Sequence, residues 1–229
     1  PGHDTEAYDR IYDNPFLAAR DNPLSTFSID VDTASYANVR RFLRDEHLPP
    51  PDAVRIEELV NYFRYAYPPP DGAAPLSVTT EVGPGAWNAE HRLVRIGMRA
   101  RSVVAGQAPA RNLTFLIDVS GSMADARKLP LLKRSLALLA DQLEERDRIA
   151  IVVYAGASGV ALPPTSGSAR GRIRDALIAL DAGGSTNGAE GIELAYQLAE
   201  RSFAPGGVNR VILATDGDFN VGVSSDAEM

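Results

Sequence analysis

The feature that most constrains the fold is a regular alternation of buried strands and amphipathic helices that begins at Arg111. Leu113 to Ile117 is a continuous apolar run, as expected for a strand that is covered on both faces. Further strands are predicted at 149–154, 159–162 and 211–214, and helices at 128–143, 169–180 and 188–203. Such alternation predicts an open, doubly wound, Rossmann-like α/β sheet.

The preceding part of the chain, residues 1–110, is predicted to form a smaller α+β module that packs against the α/β domain. Phe27, Ile29 and Val31 alternate with polar residues, which is typical of a strand. A helix is expected to start at Asp32-Thr33, and Asp52 is expected to cap a second helix. Two strands that pair as a hairpin are expected at 76–82 and 91–103.

Composition excludes several classes of function. The chain has 229 residues, with 23 Lys and Arg against 30 Asp and Glu, and its net charge is −7. Because no block of basic residues appears either, no nucleic-acid-binding face is expected. The absence of Cys rules out disulfides, thiolate zinc sites and a cysteine nucleophile. No apolar run approaches the roughly 18–20 residues that cross a bilayer, so no membrane span is expected in this chain.

Three polar clusters follow elements of the alternating part. They are Asp118-Val119-Ser120-Gly121-Ser122-Met123, Gly183-Gly184-Ser185-Thr186-Asn187 and Thr215-Asp216-Gly217-Asp218. In a doubly wound sheet, ligands bind beyond the carboxyl ends of the strands, where the strand order reverses. For the usual order this point lies between the first and fourth strands, so Asp118 and Asp216 should face one another across the crevice.

The clusters offer carboxylates and hydroxyls, and no imidazole or thiolate. Hard oxygen ligands suit Mg²⁺, Ca²⁺ or Mn²⁺ rather than Zn²⁺ or Cu²⁺. Ser120 and Ser122 are two residues apart in a predicted turn, so both hydroxyls can point at one ion. Because hydroxyl ligands do not neutralise a divalent cation, the ion stays electrophilic enough to accept a further carboxylate.

These residues also carry a family resemblance. Asp118-x-Ser120-x-Ser122, with Thr186 and Asp216 further on, resembles the metal-ion-dependent adhesion site of von Willebrand factor type A domains. Three stretches are similar to bacterial YfbK-type proteins of that family, namely the region from 23–36 to 60–63, Gly184 to Gly188, and Ala214 to Gly222. The resemblance implies that residues 111–229 form the A domain, with a mostly parallel sheet.

The resemblance implies a role for each site residue. Ser120 and Ser122 would be direct metal ligands, and Thr186 would ligate directly when a partner is bound and through water otherwise. Asp118 and Asp216 would act mainly through waters or hydrogen bonds to the hydroxyls. The implied function is non-enzymatic: a protein-binding, adhesion or scaffold module captures an Asp or Glu carboxylate of a partner protein through the ion.

Two other functions remain open at this stage. A Mg²⁺-dependent phosphohydrolase is compatible with a doubly wound sheet, although no Lys or Arg lies inside the three clusters to hold a phosphate. A subunit that works with an AAA-type ATPase is implied by chelatase-like relatives of the same domain. Family members are often exported bacterial lipoproteins. The resemblance therefore implies a periplasmic or surface location with a lipid anchor in the full-length precursor, and the cytoplasm is the alternative.

Several other polar and aromatic residues have simpler interpretations. Asp125 is expected to be a first-turn acid favoured by the helix dipole rather than a second metal ligand. Asp30 and Asp32 are expected to lie on an outward strand face and to cap a helix. Asp218 is expected to shape its loop without contacting the ion, and Trp87 to anchor a turn.

The end of the chain carries one further expectation. An A domain of the implied topology has six strands, and only four are predicted after Arg111. A fourth strand left alone would be an exposed edge that invites pairing with another chain. We therefore expect the last two strands to come from a separate fragment, a cleaved continuation or a swapped neighbour.

Overall fold

A computed structural model of the chain describes residues 8–26, 28–103, 108–155, 158–183 and 188–216, with Gly188 and Ala189 described by their backbone alone. The chain divides into two compact units at residue 104. They are called the N-terminal unit, residues 8–103, and the C-terminal unit, residues 108–216, and each is described by itself. No helix among the described residues is long and apolar enough to cross a membrane.

The N-terminal unit contains two helices and a β-hairpin. The helices are α1 (Ala34–Arg44) and α2 (Ile56–Asn61), with a 3-10 turn at Pro51–Ala53, and the strands are β1 (Leu76–Pro84) and β2 (Arg92–Ala100). β1 and β2 pair antiparallel in continuous register, which confirms the predicted hairpin. The ring of Tyr67 lies directly over Gly97, where any side chain would collide with it.

The alternation at Phe27–Val31 does not produce a strand, since residues 28–33 lie in none and Phe27 itself is outside the described residues. Asp30 Oδ1 accepts a hydrogen bond of 2.8 Å from the N–H of Asp32. Asn61 Nδ2 donates to the carbonyl of Asp30 at 2.6 Å. These side-chain partners occupy backbone groups that a strand ladder would need, so the predicted strand is wrong.

Two further local predictions in the N-terminal unit are wrong. Asp52 does not cap α2, because its carboxylate accepts a hydrogen bond of 3.0 Å from the N–H of Ile11. Trp87 does not anchor a turn from beneath, because 76% of its surface is exposed.

The C-terminal unit is built on a four-stranded sheet of order β5-β4-β3-β6. The strands are β3 (Arg111–Asp118), β4 (Arg148–Tyr154), β5 (Ser158–Ser166) and β6 (Val208–Ala214). β3 is parallel to both β4 and β6, whereas β5 is antiparallel to β4. The predicted mostly parallel sheet is confirmed, and its fourth strand lies at an edge of the described sheet.

Helices cover both faces of this sheet. They are α3 (Leu129–Asp141), α4 (Arg170–Ile178) and α5 (Gly188–Arg201). Phe115 and Ile117 of β3 pack in one buried cluster with residues of α3 and α4. Leu116, which points to the opposite face, packs with Ala195 and Leu198 of α5 in a second cluster. The continuous apolar run of β3 is therefore explained by burial on both sides, and the doubly wound α/β class is confirmed.

The topology fixes where a ligand site can form. From β3 the chain crosses to β4 on one side, and it returns later to place β6 on the other side of β3. The strand order therefore reverses at β3, and the carboxyl ends of β3 and β6 flank the crevice. This is the switch point that the sequence predicts.

Candidate metal centre

The loop after β3 brings the two predicted serine ligands together over a buried carboxylate. Asp118 is fully buried at the end of β3, and its Oδ1 accepts a hydrogen bond of 2.8 Å from the N–H of Ser120. The Oγ atoms of Ser120 and Ser122 lie 3.1 Å apart. The N–H of Met123 donates to the carbonyl of Ser120 at 3.0 Å, which closes the turn. Asp118 thus holds the turn that points both hydroxyls the same way.

The spacing of the two hydroxyls fits an octahedral ion. Two ligands bound to Mg²⁺ at about 2.1 Å and at right angles lie about 3.0 Å apart, whereas Ca²⁺ at about 2.4 Å needs about 3.4 Å. The Oγ atoms of Ser120 and Ser122 are in hydrogen-bond contact at 3.1 Å, close enough for both to reach one such ion. Among the described residues, no three His, Cys, Asp or Glu side chains group as a metal site, so an ion here depends on hydroxyl oxygens.

The end of β6 supplies the opposite wall. The parallel ladder ends with the pair of Ile117 and Ala214, so the residues that follow them, Asp118 and Thr215, lie side by side. Thr215 Oγ1 donates to Asp118 Oδ2 over a long distance of 3.4 Å. Asp216 follows, with only 7% of its side chain exposed. The structure therefore brings Asp118, Ser120, Ser122 and the β6 end to one crevice.

Tyr154, at the end of β4, lies behind the two carboxylates. Burial raises the pKa of its hydroxyl, a hydrogen bond with Thr215 lowers it, and the charges of Asp118 and Asp216 raise it again. The net pKa lies well above the usual range, so the hydroxyl keeps its proton and remains a donor beside these acids. Sequence reasoning missed Tyr154 because it occupies an ordinary core position of a buried strand.

Lys128 is the second residue that the sequence does not connect with the site. Its Nζ donates to Asp216 Oδ2 at 2.6 Å, across 88 positions of the chain. Lys128 immediately precedes α3, at the end of a helix where a cation is disfavoured by the dipole. A lysine at this unfavourable end of a helix indicates that an acidic side chain of the same chain lies close to it. Lys128 lies outside the three clusters of the sequence, yet its side chain reaches the third of them.

The structure does not bring every predicted residue into the description of the site. Thr186 and Asp218 are outside the described residues. The N–H of Gly183 donates to the carbonyl of Val119 at 2.7 Å, which ties the first residue of the second cluster to the loop after β3. Asp125 precedes α3, which begins at Leu129, so it is not in the first turn of that helix.

Asp125 instead forms a local turn with Arg127. Its Oδ1 accepts hydrogen bonds from the N–H and the Nε of Arg127, at 2.8 Å and 3.1 Å. The side-chain hydrogen bond and then the backbone one lower the pKa of this exposed carboxyl. Asp125 is thus held in its own loop by Arg127.

Both units of the chain are similar to known proteins. Residues 2–95 match the von Willebrand factor family and residues 113–218 match the von Willebrand factor type A domain, so both units are covered. The chain belongs to the von Willebrand factor type A family. It is 50% identical over 226 residues to the uncharacterized protein YfbK of Escherichia coli strain K12, which covers 96% of this chain and 39% of YfbK.

Other relatives of this von Willebrand factor type A chain match about half of its length. The magnesium-chelatase 60 kDa subunit of Cereibacter sphaeroides is 34% identical over 119 residues, covering 51% of this chain and 21% of that subunit. Among solved structures, the conserved hypothetical protein BatB from Bacteroides thetaiotaomicron is 29% identical. It aligns with 49% of this chain and 57% of its own chain, with a TM-score of 0.41. This chain therefore spans well under half of the curated relatives named here.

Proposed function

We propose that this chain is a divalent-metal-dependent protein-binding module, used for adhesion or as a scaffold, that captures an Asp or Glu carboxylate of a partner protein. The observation that carries the proposal is the pair of hydroxyls of Ser120 and Ser122, 3.1 Å apart beside the buried Asp118. Ser120, Ser122 and Thr186 would hold the ion, and Asp118 and Asp216 would support them. Mg²⁺ is the proposed ion, with Ca²⁺ or Mn²⁺ as alternatives.

The described residues explain why such a site suits a carboxylate. When bound, the ion supplies positive charge and a free coordination position. Ser120 and Ser122 are neutral ligands, so they leave that charge largely uncompensated. The carboxylate of Asp118 already accepts hydrogen bonds from the N–H of Ser120 and from the hydroxyl of Thr215, and these bonds orient the loop. The positive charge of the bound ion is therefore available to attract an acidic side chain of a partner protein.

We propose no catalytic activity for the site. The phosphohydrolase alternative needs a cation that holds the phosphate beside the ion, and no Lys or Arg lies within the three clusters of the sequence. Turnover of generic phosphate esters that depends on Asp118 would favour the enzyme instead.

A second candidate function is a subunit that works with an AAA-type ATPase. The similarity to a magnesium-chelatase subunit over 119 residues supports it. Co-purification of this chain with such an ATPase, in place of an envelope protein, would favour this role.

We also propose that the protein resides on the periplasmic or surface side of a bacterial envelope, anchored by lipid in its full-length precursor. The family resemblance supports this location. Fractionation of cells that express the full-length protein tests it: recovery with the membranes, released by detergent but not by salt, is expected. Recovery in the cytoplasmic fraction would contradict it.

The binding proposal is tested by capture on the immobilised chain. We expect partner protein to be retained in Mg²⁺, released by EDTA, and not retained by the Asp118→Ala variant. Asp175→Ala, which removes an exposed carboxylate of α4, serves as the matched control and should capture normally. Blocking the carboxylates of the partner by amidation should abolish capture. Capture that persists in EDTA would contradict the proposal.

A further inference from the structure

The ion pair between Lys128 and Asp216 places a positive charge inside the proposed metal centre. Lys128 Nζ lies 2.6 Å from Asp216 Oδ2, with 31% of the lysine side chain and 7% of the aspartate side chain exposed. Asp216 follows Thr215, whose hydroxyl reaches Asp118. The ammonium therefore neutralises one of the two carboxylates that would support an ion.

An ammonium group and a divalent ion compete for the same carboxylate. Two cations a few ångströms apart in a partly buried site repel strongly, because the local dielectric screens them far less than water does. Asp216 is almost buried, so it cannot turn towards solvent to serve both. If an ion uses Asp216, directly or through water, the lysine ammonium has to withdraw.

The surroundings of Lys128 permit that withdrawal without a change of fold. Its backbone is fixed, since its N–H donates to the carbonyl of Asp125 and its own carbonyl accepts from Leu132, both at 2.9 Å. The side chain is long, flexible and one-third exposed, so rotation about its own bonds can carry the ammonium into water. The rest of the loop need not move.

We infer that Lys128 is a built-in counter-ion of the metal-free site, which competes with the divalent ion for Asp216 and so lowers the affinity for that ion. The inference rests on the proposed function, because it concerns the same metal centre. It assigns Lys128 a role in metal affinity that lies outside the Asp-x-Ser-x-Ser motif. It also explains why a cation stands at the unfavourable end of α3.

The affinity for Mg²⁺ alone tests the inference, measured by titration calorimetry on the full 229-residue chain. We expect Lys128→Met to lower the Kd for Mg²⁺ about tenfold, in the range of typical coupling between competing sites. Lys133→Met is the matched control: Lys133 lies on α3 and donates to the carbonyls of Ile178 and Leu180. The Kd of Lys133→Met for Mg²⁺ should equal that of the wild type.

Thermal unfolding gives a second readout that does not depend on partner binding. In EDTA, Lys128→Met should melt below the wild type, because Asp216 loses its counter-ion. Saturating Mg²⁺ should shrink or reverse that difference. Lys133→Met should lower the melting temperature equally in both conditions. Lys128→Gln repeats the measurement with a polar side chain in case the Met variant folds poorly.

The outcomes separate this inference from the proposed function. Mg²⁺ binding by the wild type with an unchanged or higher Kd in both Lys128 variants would overturn the inference and leave the metal site standing. Absence of Mg²⁺ binding by the wild type and both Lys128 variants would overturn the proposed function, and the inference with it.

Discussion

At the scale of single residues, Asp118 orders the loop after β3 through hydrogen bonds rather than through the volume of its side chain. Its Oδ1 accepts a hydrogen bond from the N–H of Ser120, and its Oδ2 accepts one from the hydroxyl of Thr215, which follows the neighbouring strand. One buried carboxylate thus links β3, the serine turn and the end of β6. Its charge and its hydrogen-bond geometry can be separated by substitution with Asn.

Asp118→Asn should keep the fold and lower the affinity for Mg²⁺. The amide oxygen can still accept from Ser120, but the negative charge is gone, so we expect the affinity for Mg²⁺ to fall tenfold or more, roughly as for other supporting groups of metal ligands. Titration calorimetry measures the affinity, and circular dichroism confirms the fold. Asp175→Asn is the control on an exposed face of α4. A variant that binds Mg²⁺ like the wild type would exclude Asp118 from the site.

The residues of the site differ in how far the sequence could predict them. Asp118, Ser120 and Ser122 lie within five positions of one another, and Asp216 follows a strand that has to neighbour β3. Lys128 escaped prediction because its ion pair with Asp216 spans 88 positions. Such a contact depends on how the loop before α3 turns, which local patterns do not specify.

At the scale of elements, Asp147 ties the start of β3 to the turn before β4. It is almost fully buried, and its carboxylate accepts from the N–H of Arg111 at 2.9 Å, from Nη2 of Arg111 at 2.6 Å and from the N–H of Glu144 at 2.8 Å. Burial raises the pKa of Asp147, and these hydrogen bonds together with the charge of Arg111 outweigh it, so the net pKa is lowered.

Asp147→Asn should therefore destabilise the fold by about 2–3 kcal/mol at pH 7. A carboxyl whose folded pKa is lowered stabilises the fold above its unfolded pKa of about 3.9, and this contribution is lost as the pH falls through the folded pKa. Urea unfolding between pH 7 and pH 3 measures it. The wild type should lose stability more steeply below about pH 4 than the variant, which lacks this carboxylate. If the free energy of unfolding falls equally with pH in the wild type and in Asp147→Asn, Asp147 does not have the lowered pKa described here.

Gly191 sets how closely α5 approaches the sheet. A Cβ at this position would come within 3.0 Å of Leu116 Cδ1 and 3.1 Å of Tyr154 Cβ. Gly191→Val should cost about 1–3 kcal/mol through overpacking. Gly171→Val on α4, where an added Cβ meets nothing within 4 Å, should change stability by no more than about 0.5 kcal/mol. Equal effects in urea unfolding would contradict this packing.

The elements of the C-terminal unit were predictable because two-sided burial leaves a strong apolar signature, as in Leu113 to Ile117. β5 runs to Ser166, beyond the predicted 159–162, because antiparallel pairing with β4 continues through two register shifts. The strand expected around Phe27–Val31 failed for the opposite reason. Alternation there is real, but side chains take up the carbonyl of Asp30 and the N–H of Asp32, and no neighbouring strand pairs with the described residues 28–33.

At the scale of the whole molecule, the proposed ion belongs to one of two compact units. An ion at 100 times its Kd stabilises the structure that binds it by about 2.7 kcal/mol. Saturating Mg²⁺ should therefore slow amide exchange about 100-fold for core amides of 111–216 that exchange by global opening. Hydrogen–deuterium exchange should show no such protection in the hairpin of 76–100. Protection confined to the hairpin would contradict the assignment.

The central claim, that Ser120 and Ser122 bind a divalent ion, is tested most directly by Mn²⁺ electron paramagnetic resonance, since bound Mn²⁺ loses the signal of the free ion. We expect one Mn²⁺ per chain, displaced by Mg²⁺ and absent when both serines are changed to Ala. Ser166 and Ser168, whose Oγ atoms lie 3.0 Å apart on the exposed surface, are the matched control, and their double Ala variant should bind normally. A wild-type chain that leaves all Mn²⁺ free, or a Ser120 and Ser122 double variant that still binds one ion, would contradict the claim.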